Sequence, residues 1–506
     1  MSERAPRAGK HRKPLSGNSN GVTRTQIVVI GAGFSGMCMA IRLKEAGFTD
    51  LLILEKDAGL GGTWRQNHYP GCSVDVPSTF YSFSFFYKRP WSRFYCDQPE
   101  ILEYSYEIAR EYDLEQHMRF DTDIVDFTFD EAACEWELTS SDGRRFRTQL
   151  VFGGFGPLYE PFTPDIPGRD SFAGAQIHTR EWADDFDPTG KTIAVIGSSA
   201  SAAQVLPPLA DKAEKVYLIQ RTPAYVIPKP GDRDFPRRDQ LALRYMPGFG
   251  RLQRLIAAGI TQLLHVAQYH PSVDRLWEKI AAVHRRHQIS DPELLAKVTP
   301  DYLFSCKRPV MSNDFYPALG RPNVEVIPSG LARVEAGTVV TAHGDVRQVD
   351  TIVWATGFQP NDFFRNLPIT GRNGNTIAKN SYPDGYAAHL GISIAGFPNF
   401  FMIMGPYGQL AHTSAIVNIE LQTHYLTKIA TIFRDRKLRT IEPKPEAQQE
   451  FMERGWRTTS RGAWGHNGCT NYLIDAANGR PAIWPGSQVN MWRRTRRVRL
   501  RDYQLT

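Results

Sequence analysis

Long apolar runs are absent from this 506-residue sequence. No stretch of about 18 consecutive apolar residues occurs, so we predict no transmembrane helix. The first residues also lack the apolar core of a secretory signal, and together these absences favour a cytoplasmic location.

Cysteine is scarce, and no two cysteines have the spacing C-x-x-C. The six cysteines are scattered along the chain, at Cys38, Cys72, Cys96, Cys134, Cys306 and Cys469. This pattern indicates a reducing compartment. It argues against a zinc site and against a redox-active dithiol, and we predict no metal.

Negative charge falls short of positive charge, which leaves a formal net charge of +7. Much of the excess lies at the two ends: Arg4, Arg7, Lys10, Arg12 and Lys13, and then Arg493, Arg494, Arg496, Arg497, Arg499 and Arg501. Nucleic-acid or membrane binding is one interpretation of such ends. Solvated ends that also attract phosphate cofactors are the favoured interpretation, because no nucleic-acid module is recognisable.

What is present is a nucleotide-binding pattern near the start. Gln26–Ile30 is predicted to be a buried parallel strand, and Gly31, Gly33 and Gly36 follow it with the spacing G-x-G-x-x-G. A helix is predicted over Met37–Ala46, with Gly47 after its end. A second strand, Leu51–Leu54, leads into Glu55, whose carboxylate suits the hydroxyls of an unphosphorylated ribose.

A second, weaker copy of this pattern begins at Lys191. Gly197, Ser199 and Ala202 occupy the three glycine positions, and the next predicted strand, Val216–Gln220, leads into Arg221. Arg221 lies 24 residues after Gly197, the same offset as Glu55 from Gly31. A guanidinium at this place favours the 2′-phosphate of NADP.

Each copy is followed by a predicted β-meander and a closing glycine loop. The meanders span 123–151, with a turn at Asp142-Gly143, and 333–347, with a turn at His343-Gly344. Between the copies, residues 237–295 are predicted helical. Within them Leu252, Leu255, Ile256, Ile260, Leu263 and Leu264 have helical spacing; we interpret them as a packing face, with membrane contact as the alternative.

These patterns predict an α/β fold with two Rossmann-like dinucleotide-binding domains, for FAD and NADP, and a helical insert. We assign residues 1–23 to a disordered basic tail. The FAD domain comprises 24–160 and 372–506, the NADP domain 172–230 and 303–371, and the insert 231–302. The absence of a cysteine pair beside the flavin argues against a disulfide reductase, which leaves oxygen as the electron acceptor.

Several motifs make the chain resemble the type I Baeyer–Villiger monooxygenases, over about residues 24 to 500. The fingerprint F-x-G-x-x-x-H-x-x-x-W is formed by Phe172, Gly174, His178 and Trp182. Gly61-Gly62-x-Trp64 and the following Tyr69-Pro70-Gly71-x-x-x-Asp75 match another signature of the family, and Cys306-Lys307-Arg308-Pro309 and Ala355-Thr356-Gly357 agree in order and spacing. The final tryptophan of the fingerprint distinguishes this family from the related flavin-containing monooxygenases.

The resemblance implies an enzyme that uses FAD, NADPH and O2 to convert a ketone into an ester or lactone through a C4a-peroxyflavin. Arg308 would stabilise that peroxide, Asp75 would orient Arg308, and Lys307 would join Arg221 and Thr222 on the 2′-phosphate. His178 would act structurally. The predicted cofactor-binding residues, for both cofactors together, are Gly31, Gly33, Ser35, Gly36, Glu55, Lys56, Gly62, Thr63, Trp64, Asp75, Gly197, Ser199, Ser201, Arg221, Thr222, Lys307, Ala355, Thr356 and Gly357.

Two other functions remain open at the level of the sequence. One is an N- or S-oxygenating flavin monooxygenase, which needs a neutral hydroperoxide and no cation such as Arg308 beside it. The other is a non-enzymatic protein that senses NADP and signals through an interaction. In every case the expected ligands are small molecules, with no nucleic acid.

Overall fold

The computed structural model describes residues 21–87, 89–246, 248–358, 367–377, 386–465, 469, 471–474 and 479–506. The described strands are β1 (Val22–Ile30), β2 (Leu51–Leu54), β3 (Met118–Arg119), β4 (Ile124–Asp130), β5 (Glu135–Ser140), β6 (Arg145–Gly153), β7 (Ala175–His178), β8 (Thr192–Ile196), β9 (Lys215–Ile219), β10 (Val226–Ile227), β11 (Val310–Met311), β12 (Val324–Ile327), β13 (Leu331–Glu335), β14 (Thr338–Thr341), β15 (Val346–Gln348), β16 (Thr351–Trp354), β17 (Ile369–Thr370), β18 (Phe400–Met402), β19 (Ile441–Pro443) and β20 (Tyr503–Leu505).

The helices complete this inventory of the described residues. They are α1 (Phe34–Glu45), α2 (Thr63–Gln66), α3 (Gln98–Glu111), α4 (Ala200–Lys212), α5 (Arg237–Tyr245), α6 (Phe249–Ala267), α7 (Pro271–Gln288), α8 (Pro292–Lys297), α9 (Phe315–Leu319), α10 (Ala415–Asp435), α11 (Pro445–Thr459) and α12 (Gln488–Thr495). Among the residues described, none of these helices is both long and apolar enough to cross a membrane.

The first sheet has the order β17-β4-β5-β6-β1-β2-β3, with β18 also paired to β6. β1 runs parallel to β2 and β6, and its last residue, Ile30, lies opposite Leu54 and Gly153. The three strands therefore end at one edge, where the first glycine turn begins. The antiparallel meander β4-β5-β6 confirms the predicted hairpins, and Gly143 has a φ of +85° at its turn.

The second sheet is parallel, with the order β12-β9-β8-β16-β7. Ile196 at the end of β8 lies opposite Ile219 and Trp354, so the second glycine turn also starts at a sheet edge. The strands β13, β14 and β15 form a separate antiparallel meander, as predicted. Both Rossmann-like cores of the predicted α/β fold are thus confirmed.

Several predicted boundaries need correction. β1 begins at Val22, inside the predicted tail, because its first residues pair with Arg145 and Phe146 of β6. Residues 1–20 lie outside the described part of the chain. β17 pairs with β4, so the first sheet resumes at Ile369 and not at 372. Helix α1 starts at Phe34, three residues before the predicted Met37.

The arginine-rich C-terminal end is part of the fold. β20 pairs antiparallel with β19, and the hydroxyl groups of Tyr503 and Tyr425 lie 3.1 Å apart. Burial lowers the pKa of Arg494, whose guanidinium lies over the ring of Phe451. Arg493, Arg496, Arg497, Arg499 and Arg501 are nevertheless exposed, so this end is folded while most of its charge is solvated, as predicted.

Helices α5 to α8 form the predicted insert, but the interpretation of its apolar residues is wrong. Leu252, Leu255, Ile256, Ile260 and Leu263 on α6 are exposed. Of the six residues predicted to pack, Leu264 alone packs against a buried cluster, beside Tyr225 and Phe304. The buried positions of α6 are instead Gly250, Ala257, Thr261 and Ala267. The helical periodicity was predicted correctly, but the side of α6 that packs against the protein was not.

Candidate active site

The first glycine turn is shaped by close backbone contacts. Gly31 has a φ of +89°, and a β-carbon on Gly36 would collide with the carbonyl oxygen of Gly31. A β-carbon on Gly62 would lie 3.1 Å from the Cα of Gly33, which is tighter than ordinary van der Waals contact, whereas one on Gly33 would lie 3.5 Å from the Cα of Gly62. This bare turn, followed by the N-terminus of α1, fits a pyrophosphate.

Glu55 lies beside this turn, where the sequence placed it. It is 5% exposed, and its Oε2 accepts a hydrogen bond of 2.6 Å from the backbone N–H of Ala32, while Oε1 accepts one of 2.9 Å from Asp57. Burial raises the pKa of Glu55, and these two donors oppose that shift. The carboxylate is therefore fixed at the end of β2, where a ribose hydroxyl would meet it.

In the second turn, only the first of the three positions requires a glycine. Gly197 has a φ of +131°, and a β-carbon there would collide with the carbonyl oxygen of Ala355. Ser199, the residue before α4, has an ordinary φ of −92°. Ala202 is fully buried at the third position. The weaker motif thus forms the same turn, with space for small side chains.

Two cations lie at the far side of this second turn. Burial lowers the pKa of Lys307, and the nearby charge of Arg221 lowers it further. The Lys307 ammonium lies 4.6 Å from the centre of the Tyr302 ring. Neither cation forms a salt bridge with an acidic side chain in the part of the chain that the structure describes. Two neighbouring cations without such a partner suit a phosphate dianion.

Arg308 and Asp75 connect the two units, as the sequence predicted. The Nη2 atom of Arg308 lies 2.6 Å from the Oδ2 atom of Asp75. The side chains are 40% and 29% exposed, so both reach solvent or a ligand. Asp75 raises the pKa of Arg308 above its usual value, which keeps the guanidinium charged. The contact is confirmed; the catalytic role stays a prediction.

The loop that carries Asp75 is clamped against the second unit. Tyr69 donates a hydrogen bond of 2.7 Å to the side-chain oxygen of Gln204 on α4, and Gln204 donates one of 3.0 Å to the carbonyl of Ser73. The ammonium of Lys229 lies 3.3 Å from the Ser73 hydroxyl. A β-carbon on Gly71 would collide with the backbone carbonyl of Gln204. Gln204 and Lys229 were missed by sequence reasoning because they lie outside every motif.

The fingerprint residues form the junction between the units. Phe172 is buried in the core of the second sheet, and a β-carbon on Gly174 would collide with the carbonyl of Asp350. Trp182 is also buried, and its carbonyl lies 3.0 Å from the Nε2 atom of His68 in the loop of the first unit. The fingerprint therefore fixes how the chain enters the second unit.

His178 is held as a neutral ring. Its Nδ1 accepts a hydrogen bond of 3.1 Å from the backbone N–H of Arg180, so its Nε2 carries the proton and donates to the carbonyl of Gly357 at 3.2 Å. Burial lowers the pKa of His178. These contacts join β7 to the closing loop after β16, which agrees with a structural role.

The other predicted cofactor residues line the same two turns. Trp64 donates to the Tyr81 hydroxyl at 3.0 Å, next to Thr63 at the start of α2. Lys56 lies over the ring of Tyr159, and Ser35 is buried in the first turn of α1. In the second unit, Ser201 is in the first turn of α4, the carbonyl of Thr222 accepts from Ser198, and the Thr356 hydroxyl donates to the carbonyl of Phe162.

Described residues from Trp464 onward make contacts that sequence reasoning missed. The indole N–H of Trp464 donates to the carbonyl of Ser305 at 2.8 Å, and the side-chain amide of Asn471 donates to the carbonyl of Cys306 at 2.8 Å. The Tyr472 hydroxyl interacts with the guanidinium of Arg308. Trp464, Asn471 and Tyr472 therefore contact the residues at and just before the cation at the centre of the site.

Cys306 and Cys469 are joined by a disulfide bond, which corrects the expectation that this chain holds no cysteine pair near the site. The two residues are 163 positions apart, so no local spacing could have revealed them. The bond attaches the C-terminal segment directly before Lys307 and Arg308. Cys38, Cys72, Cys96 and Cys134 are free.

His412 is a further residue that sequence reasoning missed. Its ring lies 4.4 Å from that of His265 on α6. Burial lowers the pKa of His412 well below its usual value, and the charges of His265 and Arg308 add to the shift. The ring is thus neutral beside Arg308 and adds no competing charge.

Comparison with known proteins gives a consistent result. Residues 29–97 match the family described as "NAD(P)-binding Rossmann-like domain". A "Baeyer-Villiger monooxygenase" of Streptomyces coelicolor is 38% identical over 482 residues, which cover 95% of this chain and 92% of that protein. One of Pseudomonas aeruginosa, with the same description, is 37% identical and is covered to 91%.

Solved structures agree over nearly the whole length. A closed crystal structure of cyclohexanone monooxygenase superposes with a TM-score of 0.86 at 26% identity, and covers 96% of this chain and 99% of its own. Cyclohexanone monooxygenase from Rhodococcus sp. Phi1 bound to NADP+ gives a TM-score of 0.85 at 28% identity, with the same coverage. An oxidised steroid monooxygenase bound to NADP gives 0.84 at 26% identity, again with the same coverage.

Proposed function

Because the chain belongs to the Baeyer–Villiger monooxygenase family, we propose that Arg308 and Asp75 form the charged centre of its reaction. The protein is an FAD-containing, NADPH-dependent monooxygenase that uses O2 to insert one oxygen atom next to a ketone carbonyl. The role of each residue in that reaction is inferred from the contacts of this chain.

The residues present fit both cofactors. The bare turn of Gly31, Gly33 and Gly36, with the fixed carboxylate of Glu55, would hold the pyrophosphate and ribose of FAD. Arg221 and Lys307 would hold the 2′-phosphate of NADPH, with Thr222 beside them. Bound FAD, once reduced by NADPH, supplies the activation of O2.

The contact between Arg308 and Asp75 is the observation that carries the proposed mechanism. An oxygen atom that attacks a ketone carbonyl is negatively charged, and so is the oxygen of the adduct that forms. A fixed guanidinium lowers the free energy of both charges. The salt bridge to Asp75 fixes the position of the Arg308 side chain. Asp75 belongs to the first unit and Arg308 to the second. The charge is therefore in place only when the two units are docked.

The positive charge also decides between the two kinds of oxygenation. N- and S-oxygenation need a neutral oxygen donor, which a fixed cation disfavours. Arg308 therefore supports ketone oxidation over the alternative. We also keep the prediction that the protein acts on small-molecule substrates in the cytoplasm. The Cys306–Cys469 disulfide runs against the part of that prediction that rested on the scattered cysteines.

The test is product analysis of purified, FAD-loaded protein with NADPH and ¹⁸O2 on linear, cyclic, aryl and polycyclic ketones. We expect an ester or lactone that contains one labelled oxygen from O2, for at least one ketone class. A thioether run in parallel is the control for S-oxygenation. NADPH consumption with hydrogen peroxide as the sole product from every ketone, together with sulfoxide from the thioether, would reject the proposal.

A further inference from the structure

The helical insert exposes a row of apolar side chains on its outer surface, whereas most water-exposed helix faces are polar. Leu255 on α6 is 70% exposed and Ile256 is 56% exposed. The exposed residues of α6 follow helical spacing and so form one stripe. Together with three exposed residues at α5, they make up what we name the insert face: Leu241, Tyr245, Met246, Leu252, Leu255, Ile256, Ile260 and Leu263.

The opposite side of α6 is already packed against the protein. Ala257 belongs to a buried cluster with Val76, Phe80 and Val417. The guanidinium of Arg254 donates to the carbonyl of Thr79 at 2.9 Å and lies 3.6 Å from Glu420. The helix therefore cannot rotate its apolar residues inward without breaking this cluster and leaving a buried arginine unpaired.

Positive charge surrounds the insert face. Residues 237–267 contain five arginines and a single acidic residue, Asp239, which is a net charge of +4. Arg237, Arg244 and Arg251 are exposed, and none of them forms a salt bridge to an acidic side chain within the described residues. α6 itself contains no acidic residue. Apolar side chains bordered by unpaired arginines complement a surface that is apolar inside and negatively charged outside.

From these observations we propose that the insert face docks on an anionic lipid bilayer, with α6 lying in the plane of the headgroups. Its 19 residues span about 28 Å, enough to lay all five exposed aliphatic side chains of α6 on one surface. The arginines would contact lipid phosphates while Leu255 and Ile256 enter the acyl boundary. This is attachment to a surface, without a spanning helix.

A second copy of the chain fits the insert face less well. A twofold interface places a patch against the same patch of its partner, so two net charges of +4 would meet. Repulsion between like charges opposes such a dimer. A negatively charged membrane attracts the positive insert face, and it can be bound without a surface of complementary shape.

The test uses the FAD-loaded full chain and flotation with vesicles of phosphatidylcholine alone or of phosphatidylcholine and phosphatidylglycerol in equal parts. We expect binding to the anionic vesicles that weakens as salt is added, and little binding to the neutral ones. The double variant Leu255→Ser, Ile256→Ser should bind at least about tenfold more weakly. The double variant Arg237→Gln, Arg244→Gln should lose about fivefold per arginine.

Matched controls come from exposed residues elsewhere. Val346→Ser removes a half-exposed apolar side chain on β15, and Arg497→Gln removes an exposed arginine near the C-terminus; both should bind vesicles like the unmodified protein. Circular dichroism and FAD content check that each variant is folded. Since the assay needs no turnover, it is independent of the proposed reaction.

Three outcomes would overturn the proposal. The first is a folded, FAD-loaded protein that does not float with anionic vesicles. The second is binding that the insert variants leave unchanged. The third is a dimer, measured by light scattering, that Leu255→Ser, Ile256→Ser converts to a monomer, because the insert face would then belong to a second copy.

Discussion

In both nucleotide units a charged residue follows the second strand, 24 residues after the first glycine of the turn. The units differ in whether that charge already has partners within the protein. In the first unit, Glu55 is buried, and both of its oxygens accept backbone hydrogen bonds. In the second unit, Arg221 is exposed beside Lys307. The first unit fixes its charge internally before any cofactor binds, whereas the second leaves two cations for the ligand. This suits a retained flavin and an exchanging nicotinamide cofactor.

The two glycine turns also differ in how much space they leave for side chains. At Gly36 a side chain would collide with the backbone of Gly31, while the matching position of the second unit already holds the β-carbon of Ala202. The first turn is therefore packed backbone to backbone, and the second has space for small side chains. We accordingly expect the largest effects from substitutions in the first turn and the smallest from substitutions at the border of the second unit.

Gly36→Val should abolish FAD binding. The added side chain would collide with the carbonyl oxygen of Gly31, which we expect to cost more than about 4 kcal/mol. The flavin absorbance of the purified protein and its thermal unfolding measure the effect. Ala202→Gly is the matched control; it should cost about 1 kcal/mol and keep FAD. A flavin-loaded Gly36→Val protein would show that the first turn is no tighter than the second.

Arg308→Ala should lower the rate of ester formation by about 10²- to 10³-fold, because it removes the charge that stabilises the anionic oxygen. Anaerobic reduction of FAD by NADPH should stay within about twofold, since hydride transfer does not need this charge. Stopped-flow absorbance and product analysis separate the two steps. Arg321→Ala, which removes a surface arginine paired with Asp211, is the control. Ester formation at the normal rate by Arg308→Ala would refute the role given to it.

Arg221→Ala should raise the KM for NADPH by about 10- to 100-fold and leave the KM for NADH nearly unchanged. The phosphate contact is a charged hydrogen bond worth about 1.5–3 kcal/mol, and NADH lacks the phosphate. Steady-state kinetics with both cofactors measure the difference. Arg333→Ala on β13 serves as the control, because this arginine pairs with Glu335. Equal losses for both cofactors would place Arg221 away from the 2′-phosphate.

Cys469→Ser should have the smallest effect, a rise of about threefold in the KM for NADPH, or roughly 0.7 kcal/mol. Without this bond, Cys469 no longer anchors Cys306, the residue before Lys307. A reducing agent should reproduce the effect in the unmodified protein, and limited proteolysis should cut more quickly after Gly465. Cys134→Ser, at a free cysteine, is the control. If neither the variant nor the reductant changes KM or proteolysis, the disulfide does not support the second unit.

Local patterns in the sequence predicted the elements that depend on neighbouring residues. β2 was predicted with its observed bounds, because four apolar residues between polar ones can only form a short buried strand at this place. The turn at Gly31 and the position of Glu55 followed from spacing alone. The pairing of Asp75 with Arg308, 233 residues apart, came from the family resemblance and not from any local pattern.

Contacts that depend on the tertiary structure could not be predicted in the same way. Helical spacing showed that Leu252, Leu255 and Ile256 share a side of α6, but it carries no information on which side packs. That was decided by Ala257 and Thr261, which are small enough for close packing. The Cys306–Cys469 bond and the contact of Tyr472 with Arg308 depend on how a distant segment returns to the site.

The backbone of Gly71 lies so close to the backbone carbonyl of Gln204 that a rotation of side chains cannot change the distance between the two units at this point. At this point the two units meet backbone against backbone, and a backbone contact has no rotamers to absorb strain. We expect this contact, with no β-carbon at Gly71, to help set the distance between the bound flavin and the nicotinamide, across which the hydride must pass. Alanine at residue 71 would act as a spacer between the units, and the rate of flavin reduction would report how far they had been moved apart.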